Sequence, residues 1–198
     1  MHEPGVQARM IANVLKQIED SARVKKDLAV SGAEYIVKAA ELMIKSIKAG
    51  GKIFFCGNGG SAADSQHIAA ELISRLRLER DAIPALALTT NTSTLTAIAN
   101  DYDFSQVFVR QLEALGKEGD ILIGISTSGN TKNVIAAMDF AKNRGIKTVA
   151  MTGGDGGKLA GSTDISIVVP SQDLQRIQEA HIMIGHILCD LVEQALFG

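Results

Sequence analysis

The sequence predicts an α/β fold: a three-layer αβα sandwich around a five-stranded parallel sheet of flavodoxin-like order. Five short runs are mostly apolar, and stretches long enough for helices separate them. Strands that are apolar on both faces are typical of parallel sheets covered by helices on both sides. The five runs are Lys52 to Cys56, Pro84 to Leu88, Asp120 to Ile125, Thr148 to Met151 and Ile165 to Val169.

Apolar residues at helical spacing predict the helices around these strands. They recur over 6 to 28 and 33 to 49, then over 62 to 76, 93 to 115 in two pieces, 131 to 144, and a short turn near 157 to 161. The last stretch, 174 to 197, is apolar on more than one stripe and therefore needs burial on several sides. Together with the N-terminal helices, it indicates a helical oligomer interface.

Composition excludes several classes of function. The 20 basic and 22 acidic residues of the 198 give a net charge of -2 and are scattered, and aromatic residues make up only 4%, so nucleic acid is not an expected partner. Cys56 and Cys189 lie in apolar runs and are expected to be free thiols. The first twenty residues lack a signal-peptide core, and His186 and Asp190 interrupt the C-terminal apolar stretch. We expect a cytoplasmic protein without membrane association.

Two loops of small and hydroxyl residues follow the first and third predicted strands. These strands are expected to be neighbours at the switch point, where ligands collect at the strand C-termini. Small residues let the backbone approach an anion, and the following helix N-terminus adds a favourable dipole. For the first loop alone, a tight strand-to-helix turn explains the residues equally well. The loops are Gly57-Asn58-Gly59-Gly60-Ser61 and Ser126-Thr127-Ser128-Gly129-Asn130-Thr131.

The loop sequences favour a sugar phosphate over a nucleotide. In neither loop does a Lys follow a Gly as a P-loop requires, and the first loop lacks the third Gly of the dinucleotide fingerprint. The two loops together predict a cradle for a phosphorylated ligand.

His67 and Glu71 lie four residues apart, on one face of the helix that leaves the first loop. An ordinary ion pair on a solvated face is the alternative interpretation. Their position, one to two turns from the cradle, favours a function. Glu71 is the best candidate for a general base that removes a proton next to a carbonyl group.

His67, Glu71, Gln178 and His186 together offer two imidazole nitrogens and two oxygens, a set compatible with zinc. A satisfied core histidine is the alternative for His186. Eight residues of helix rise about 12 Å, so Gln178 and His186 of one chain converge only if the first turn is irregular or both side chains lean inward. Otherwise they belong to different subunits. We predict a site assembled at a subunit interface, which four groups meeting within one protomer would overturn.

Two further stretches are less specific. Asn100 and Asp101 follow the second strand and a short helix, where they either face the cradle or simply end that helix. The stretch from Gly153 to Gly157 follows the fourth strand, away from the switch point, and we interpret it as a loop.

Three blocks occur in order and at matching spacing: the first loop with His67 and Glu71, GISTSGN from Gly124 to Asn130, and RIQE from Arg176 to Glu179 with His186. Over nearly the whole chain this combination resembles the phosphoheptose isomerases of the sugar isomerase (SIS) domain family. One position departs from the pattern: some members place Asp directly before RIQE, where this chain has Gln175, with Asp173 nearby.

The resemblance implies a homotetrameric bacterial cytoplasmic isomerase with active sites at subunit interfaces. It would convert D-sedoheptulose 7-phosphate to D-glycero-D-manno-heptose 7-phosphate through an enediolate, as the first step toward ADP-heptose for lipopolysaccharide and other surface glycans. Residues 1–50 would be helices packing in the oligomer, and residues 51–198 the SIS sugar-phosphate-binding domain, within one structural unit.

The resemblance also assigns site residues. One Zn²⁺ per subunit would be held by His67, Glu71, Gln178 and His186, and Glu71 and His186 would form the acid/base pair. The substrate contacts would be Asn58, Gly59, Gly60, Ser61, Glu71, Asn100, Asp101, Ser126, Thr127, Ser128, Thr131 and Gln178.

Two other functions occur among SIS-domain proteins. One is a non-catalytic tetramer that binds the replication initiator DnaA, a branch that lacks the pair corresponding to Glu71 and His186. The other is a sugar-phosphate sensor, which usually carries an attached DNA-binding domain that this sequence does not contain. The acidic and imidazole pair favours the enzyme.

Overall fold

A computed structural model describes residues 4–198 of the chain. The helices are α1 (Pro4–Ser31), α2 (Ala33–Lys48), α3 (Gly60–Ile73), α4 (Thr92–Asp101), α5 (Val109–Leu115), α6 (Lys132–Asn143), α7 (Gly157–Ala160) and α8 (Leu174–Phe197), with a 3₁₀ turn at Phe104–Gln106. The strands are β1 (Ile53–Gly57), β2 (Ala85–Ala87), β3 (Ile121–Ile125), β4 (Lys147–Gly153) and β5 (Ile165–Val169). Each predicted element is present, with bounds shifted by a few residues.

The five strands form one parallel sheet in the order β2-β1-β3-β4-β5. The predicted fold class and strand order are thereby confirmed. β1 pairs with β3 in a register that sets Gly57 beside Ile125 at the C-terminal edge. The two predicted loops therefore leave the sheet side by side.

Helices cover both faces of the sheet. Along β1, Phe55 packs into a core shared with α2, α3 and α8, whereas Phe54 and Cys56 pack into a second core with α5 and α6. Both cysteines are buried free thiols, as predicted. Burial raises the pKa of the Cys56 thiol to about 12 and that of the Cys189 thiol to about 12. Neither is a reactive thiolate.

The helix α8 is long and apolar enough, by length and composition alone, to cross a membrane. The expectation that His186 and Asp190 interrupt this stretch too soon was therefore too strict. Core helices meet the same criterion, and here Ile184, Leu188 and Val192 are buried against the sheet and α2.

The long helix α1 extends past this core. Val24 and Leu28, in its second half, are buried in the core that also contains α8. Its first half presents an apolar face to solvent, because Met10, Ile11, Val14, Leu15 and Ile18 are each 54% to 63% exposed. A division of the chain at residue 50 stays a prediction, since the N-terminal helices share the core of the rest.

Candidate active site

The helices α3 and α8 lie side by side and run in the same direction. Gly185 of α8 packs on Ile68 of α3 so closely that a Cβ at position 185 would lie 2.4 Å from Ile68 Cδ1. A glycine at this contact allows two helix backbones to approach. The next residue, His186, therefore lies beside side chains from the middle of α3.

Three predicted site residues meet at this point. His67 Nε2 lies 3.0 Å from His186 Nε2 and 3.2 Å from Glu71 Oε1. The two imidazole rings meet edge to face, with centroids 5.0 Å apart. Solvent reaches the group, since the side chains of His67 and Glu71 are 49% and 25% exposed. We call His67, Glu71 and His186 the triad.

The donor set of the triad fits a divalent metal ion. One atom from each residue lies within 4.8 Å of the other two. Ligand atoms about 2.0 to 2.1 Å from a tetrahedral zinc ion are about 3.3 Å apart, which is close to the observed separations. Two imidazoles and one carboxylate also match the ligands of catalytic zinc sites that keep a position open for water or substrate.

Gln178, the fourth predicted ligand, lies elsewhere in the protomer. A Cβ at Gly60 would be 2.7 Å from Gln178 Nε2, so the amide packs over the first turn of α3. His67 and His186 are about two turns further along their helices, roughly 10 to 12 Å away. Because α8 is regular from Leu174, Gln178 does not join the triad of its own chain. The four groups do not meet within one protomer.

The first loop is shaped by its glycines. Gly59 has a φ of +55°, a conformation that side chains with a Cβ rarely adopt. A Cβ at Gly57 would lie 2.8 Å from the Cβ of Ser61, which is buried. The backbone therefore turns directly from β1 into α3, leaving the N-terminus of α3 at the sheet edge. This is the geometry that binds an anion.

The second loop is held by hydroxyls and by a neighbouring turn. The hydroxyls of Ser126 and Thr131 are 2.7 Å apart and hydrogen-bonded. Gly129 has a φ of +63°, and a Cβ there would lie 1.9 Å from the carbonyl oxygen of Gly156. Of the hydroxyl residues in this loop, Ser128 is exposed, Thr127 and Thr131 are half-buried, and Ser126 is buried.

The stretch from Gly153 to Gly157 has a larger part in the site than the sequence indicated. The interpretation of this segment as a loop away from the switch point was incomplete, because it packs directly under the second loop. The Gly153 amide donates to the Thr127 carbonyl at 3.0 Å, and the Lys158 amide donates to Asn130 Oδ1 at 3.2 Å. The stretch from Gly153 to Gly157 therefore stabilises the second loop.

An amide pair that the sequence did not reveal joins the two loops. Asn58 Nδ2 donates to Asn133 Oδ1 at 2.9 Å, and Asn133 Nδ2 donates to Asn58 Oδ1 at 2.9 Å. Asn133 is 2% exposed, in the first turn of α6. This pair could have been predicted from the sequence, because an Asn stands two residues after the hydroxyl loop on an otherwise apolar helix face.

Asn100 and Asp101 end α4 and are exposed, and Asn100 Nδ2 donates to Asp101 Oδ1 at 2.8 Å. Neither forms a hydrogen bond with either loop within residues 4–198. Asp173 is the N-cap of α8 and accepts the Gln175 and Arg176 amides, while the Gln175 side chain is exposed. The Asp173 carboxylate, three residues before RIQE, thus has structural partners.

Comparison with known proteins places the chain in a family. The model of the SIS domain family matches residues 17–153. The phosphoheptose isomerase of Clostridium acetobutylicum is 54% identical, over 92% of this chain and 94% of that protein. Among solved structures, the phosphoheptose isomerase of Neisseria gonorrhoeae has a TM-score of 0.89 at 45% identity, over 93% of this chain and 99% of that one. That of Francisella tularensis has a TM-score of 0.90 at 39% identity, over 93% and 98%. The chain therefore belongs to the SIS domain family, in the group of the phosphoheptose isomerases.

Proposed function

We infer that this chain is an aldose–ketose isomerase that interconverts D-sedoheptulose 7-phosphate and D-glycero-D-manno-heptose 7-phosphate. The observation that carries this inference is the triad of His67, Glu71 and His186 in a chain half-identical to phosphoheptose isomerases over nearly its full length. The non-catalytic alternative, a tetramer that binds DnaA, does not account for an acidic and imidazole group brought together at the surface.

The reaction moves one proton between two carbon atoms. A base removes a proton from C1 of the ketose, an enediolate forms, and a proton returns to C2 to give the aldose. We assign the carbon proton to Glu71, whose Oε1 lies in the triad and whose second carboxylate oxygen is then available as a base. His186 is the second member of the acid/base pair and transfers protons to and from the substrate oxygens on C1 and C2.

A divalent ion, which we propose to be Zn²⁺, would be held by His67, Glu71 and His186, with Gln178 as a fourth ligand. When bound, it supplies a positive charge that stabilises negative charge developing on the substrate oxygens. To hold the ion, each ligand atom of the triad would have to be free of its proton.

The two loops bind the phosphate end of the substrate in this proposal. Ser126, Thr127, Ser128 and Thr131 offer hydroxyls, while Asn58, Gly59, Gly60 and Ser61 lie at the N-terminus of α3. These groups are neutral donors, and the helix dipole adds a favourable field. Binding energy gathered far from the reacting carbons orients the chain of the sugar toward the triad. Asn100, Asp101 and Gln178 complete the proposed set of substrate contacts.

A homotetramer with active sites between subunits is the assembly we propose. The exposed apolar face of α1, Met10 to Ile18, supports an interface. The separation of Gln178 from the triad supports a site completed by another subunit. We further propose a cytoplasmic enzyme whose product enters nucleotide-activated heptose for lipopolysaccharide and other surface glycans.

The test is a nuclear magnetic resonance assay with D-sedoheptulose 7-phosphate as the substrate. We expect aldose signals with the untreated protein, loss of turnover with a chelator, and recovery on addition of Zn²⁺. Glu79→Gln, which changes a carboxylate that is 84% exposed a few residues from the triad, is a matched control and should retain full activity. No aldose formation under any of these conditions would refute the proposed function.

A further inference from the structure

A buried ion pair lies behind the triad, at the far end of the α3–α8 contact. Glu193 of α8 and Arg80, from the loop after α3, form it with Arg80 Nε 2.9 Å from Glu193 Oε1. Both side chains are only 1% exposed. A buried charged pair is weak evidence for stability, because desolvation offsets much of the attraction. The hydrogen bonds that Arg80 and Glu193 form with backbone groups indicate the role of the pair.

The carboxylate of Glu193 holds the loop that follows α3. It accepts the backbone amides of Leu76 at 3.1 Å, Arg77 at 2.8 Å and Leu78 at 3.1 Å, besides the Arg80 guanidinium. Burial by itself raises the pKa of Glu193, but these donors outweigh it and bring the pKa to about 2. Glu193 is therefore a permanent anion at neutral pH.

The guanidinium of Arg80 holds the end of α3 itself. Arg80 Nη2 donates to the carbonyl oxygen of Glu71 at 2.9 Å, and Nη1 donates to that of Leu72 at 2.8 Å. The last carbonyls of a helix lack partners within the helix, and a cation there interacts favourably with the helix dipole. The peptide group that carries the triad carboxylate is thus bonded directly to Arg80.

The pair connects the two helices that supply the triad. Through Arg80 it holds the backbone of Glu71, and through Glu193 it is part of α8, seven residues from His186. The loop it orders also borders a surface cavity of about 300 Å³ that is lined by Leu76, Arg77, His186, Ile187 and Asp190. A shift of the last turn of α3 would therefore move Glu71 relative to His186 and reshape the space beside it.

We propose that Arg80 and Glu193 are positioning residues, which fix the distance between Glu71 on α3 and His186 on α8 and so set the divalent-metal affinity and turnover of the triad. This inference rests on the proposed function. The pair itself does not touch substrate or metal. Groups that orient metal ligands typically change affinity or activity by 10- to 100-fold when they are replaced.

The test measures Co²⁺ binding to metal-free protein by visible absorption, together with kcat, KM and the thermal midpoint of unfolding. Glu193→Gln removes the charge at constant size, and we expect the Kd for Co²⁺ to rise about tenfold or more, with a similar loss of kcat. KM should stay within about threefold of its original value, because the cradle lies at the other end of α3. Arg80→Lys keeps the charge but loses the fork of the guanidinium, and it should have a smaller effect in the same direction.

Two exposed residues give matched controls: Glu79→Gln for the carboxylate and Arg110→Lys for the guanidinium. Neither control should change Co²⁺ affinity, whereas His186→Ala should abolish the absorption bands if they report the triad. Should Glu193→Gln not fold, the milder Arg80→Lys gives the answer.

The outcomes separate the two proposals. A lower thermal midpoint with unchanged Co²⁺ affinity and kcat would overturn the positioning role, because the pair would then be only structural. Weakened Co²⁺ binding in a protein that never turns over sedoheptulose 7-phosphate would support the positioning role and refute the proposed function. A wild-type protein without affinity for Co²⁺ would overturn the positioning role as stated.

Discussion

The two ends of the α3–α8 helix pair are built from different chemical groups. At the N-terminal end of α3, the cradle consists of glycines, hydroxyls and backbone amides, with positive φ at Gly59 and Gly129. At the other end, His67, Glu71 and His186 are ionisable side chains from two helices, backed by Arg80 and Glu193. One end is neutral and fixed by backbone shape. The other consists of ionisable side chains, and the buried pair of Arg80 and Glu193 holds the backbone behind them.

Under the proposed function, this difference separates substrate binding from proton transfer. Each loop of the cradle is a continuous segment whose shape depends on its own sequence, and the second loop also depends on the stretch from Gly153 to Gly157 that packs against it. The triad exists only because Gly185 lets α8 approach Ile68 and because the register of the two helices matches. Changes at the three triad side chains should therefore remove the proposed catalysis without unfolding the chain. Changes at the cradle end should reduce stability and substrate affinity together.

The largest effect is expected from the triad. Glu71→Gln and His186→Ala should each lower kcat by about 100-fold or more, because under the proposed function each removes a group that transfers protons in the transition state. Both side chains are partly exposed, so the far-ultraviolet circular dichroism spectrum should stay unchanged. Glu79→Gln again serves as the control, and a rate for Glu71→Gln near that of the control would contradict the assignment.

The next effect concerns the shape of the cradle. Gly129→Ala should lower the free energy of unfolding by about 3 kcal/mol, because an Ala there has positive φ and its Cβ meets the Gly156 carbonyl. KM should rise as well, since the hydroxyl loop moves. Urea denaturation measures the stability.

Gly161→Ala is the matched control, since its φ is -97° and nothing lies within 4 Å of an added Cβ. Equal stability of the two variants would show that the loop adapts, and would contradict a cradle fixed by backbone shape.

A third prediction concerns the middle of α8, which joins the two ends. His181 is fully buried, and its Nε2 lies 3.0 Å from the Thr152 carbonyl oxygen. Burial lowers the pKa of His181 to about 4, although the bond to Thr152 opposes the shift. The unfolded chain binds this proton below about pH 6.5, whereas the folded chain does not until about pH 4.

The free energy of unfolding should therefore fall by about 2 to 3 kcal/mol as the pH drops from 6.5 to 4, through His181 alone. His181→Gln can still donate to Thr152 but does not titrate, so its stability should vary less across this window. Urea denaturation at several pH values measures the difference. Identical pH profiles for the two proteins would contradict the buried neutral imidazole.

The smallest effect is expected from the amide pair between the loops. Asn133→Ala leaves the Asn58 amide without its partner and should lower the free energy of unfolding by about 1 to 2 kcal/mol. KM should rise roughly three- to tenfold, because the two loops shift relative to each other. The value of kcat should change little, because the triad does not move. A fall in kcat without any change in KM would count against the division between binding and chemical ends.

The fold and the cradle were predictable from sequence because the signals are local. Apolar runs, helical spacing and turn residues act within a few positions of one another, so Gly57 to Ser61 and Ser126 to Thr131 could be placed at one sheet edge. The pairing of His67 with Glu71 was equally local.

The rest depends on contacts between distant segments. The meeting of His186 with His67 requires the close packing at Gly185, and the distance of Gln178 from that point follows from the helical rise. Arg80 and Glu193 are 113 residues apart, and nothing in either segment shows that the two side chains are buried together. The support of Gly129 by Gly156 likewise arises from a turn on a neighbouring strand.

Solvent deuterium incorporation distinguishes an enediolate from a direct hydride shift. With D-sedoheptulose 7-phosphate in deuterium oxide, we expect Glu71 to deliver a solvent-derived deuteron to C2 of the newly formed aldose. Aldose that forms with only protium at C2 under single-turnover and multiple-turnover conditions would contradict it, because a direct hydride shift needs neither an enediolate nor a base exposed to solvent.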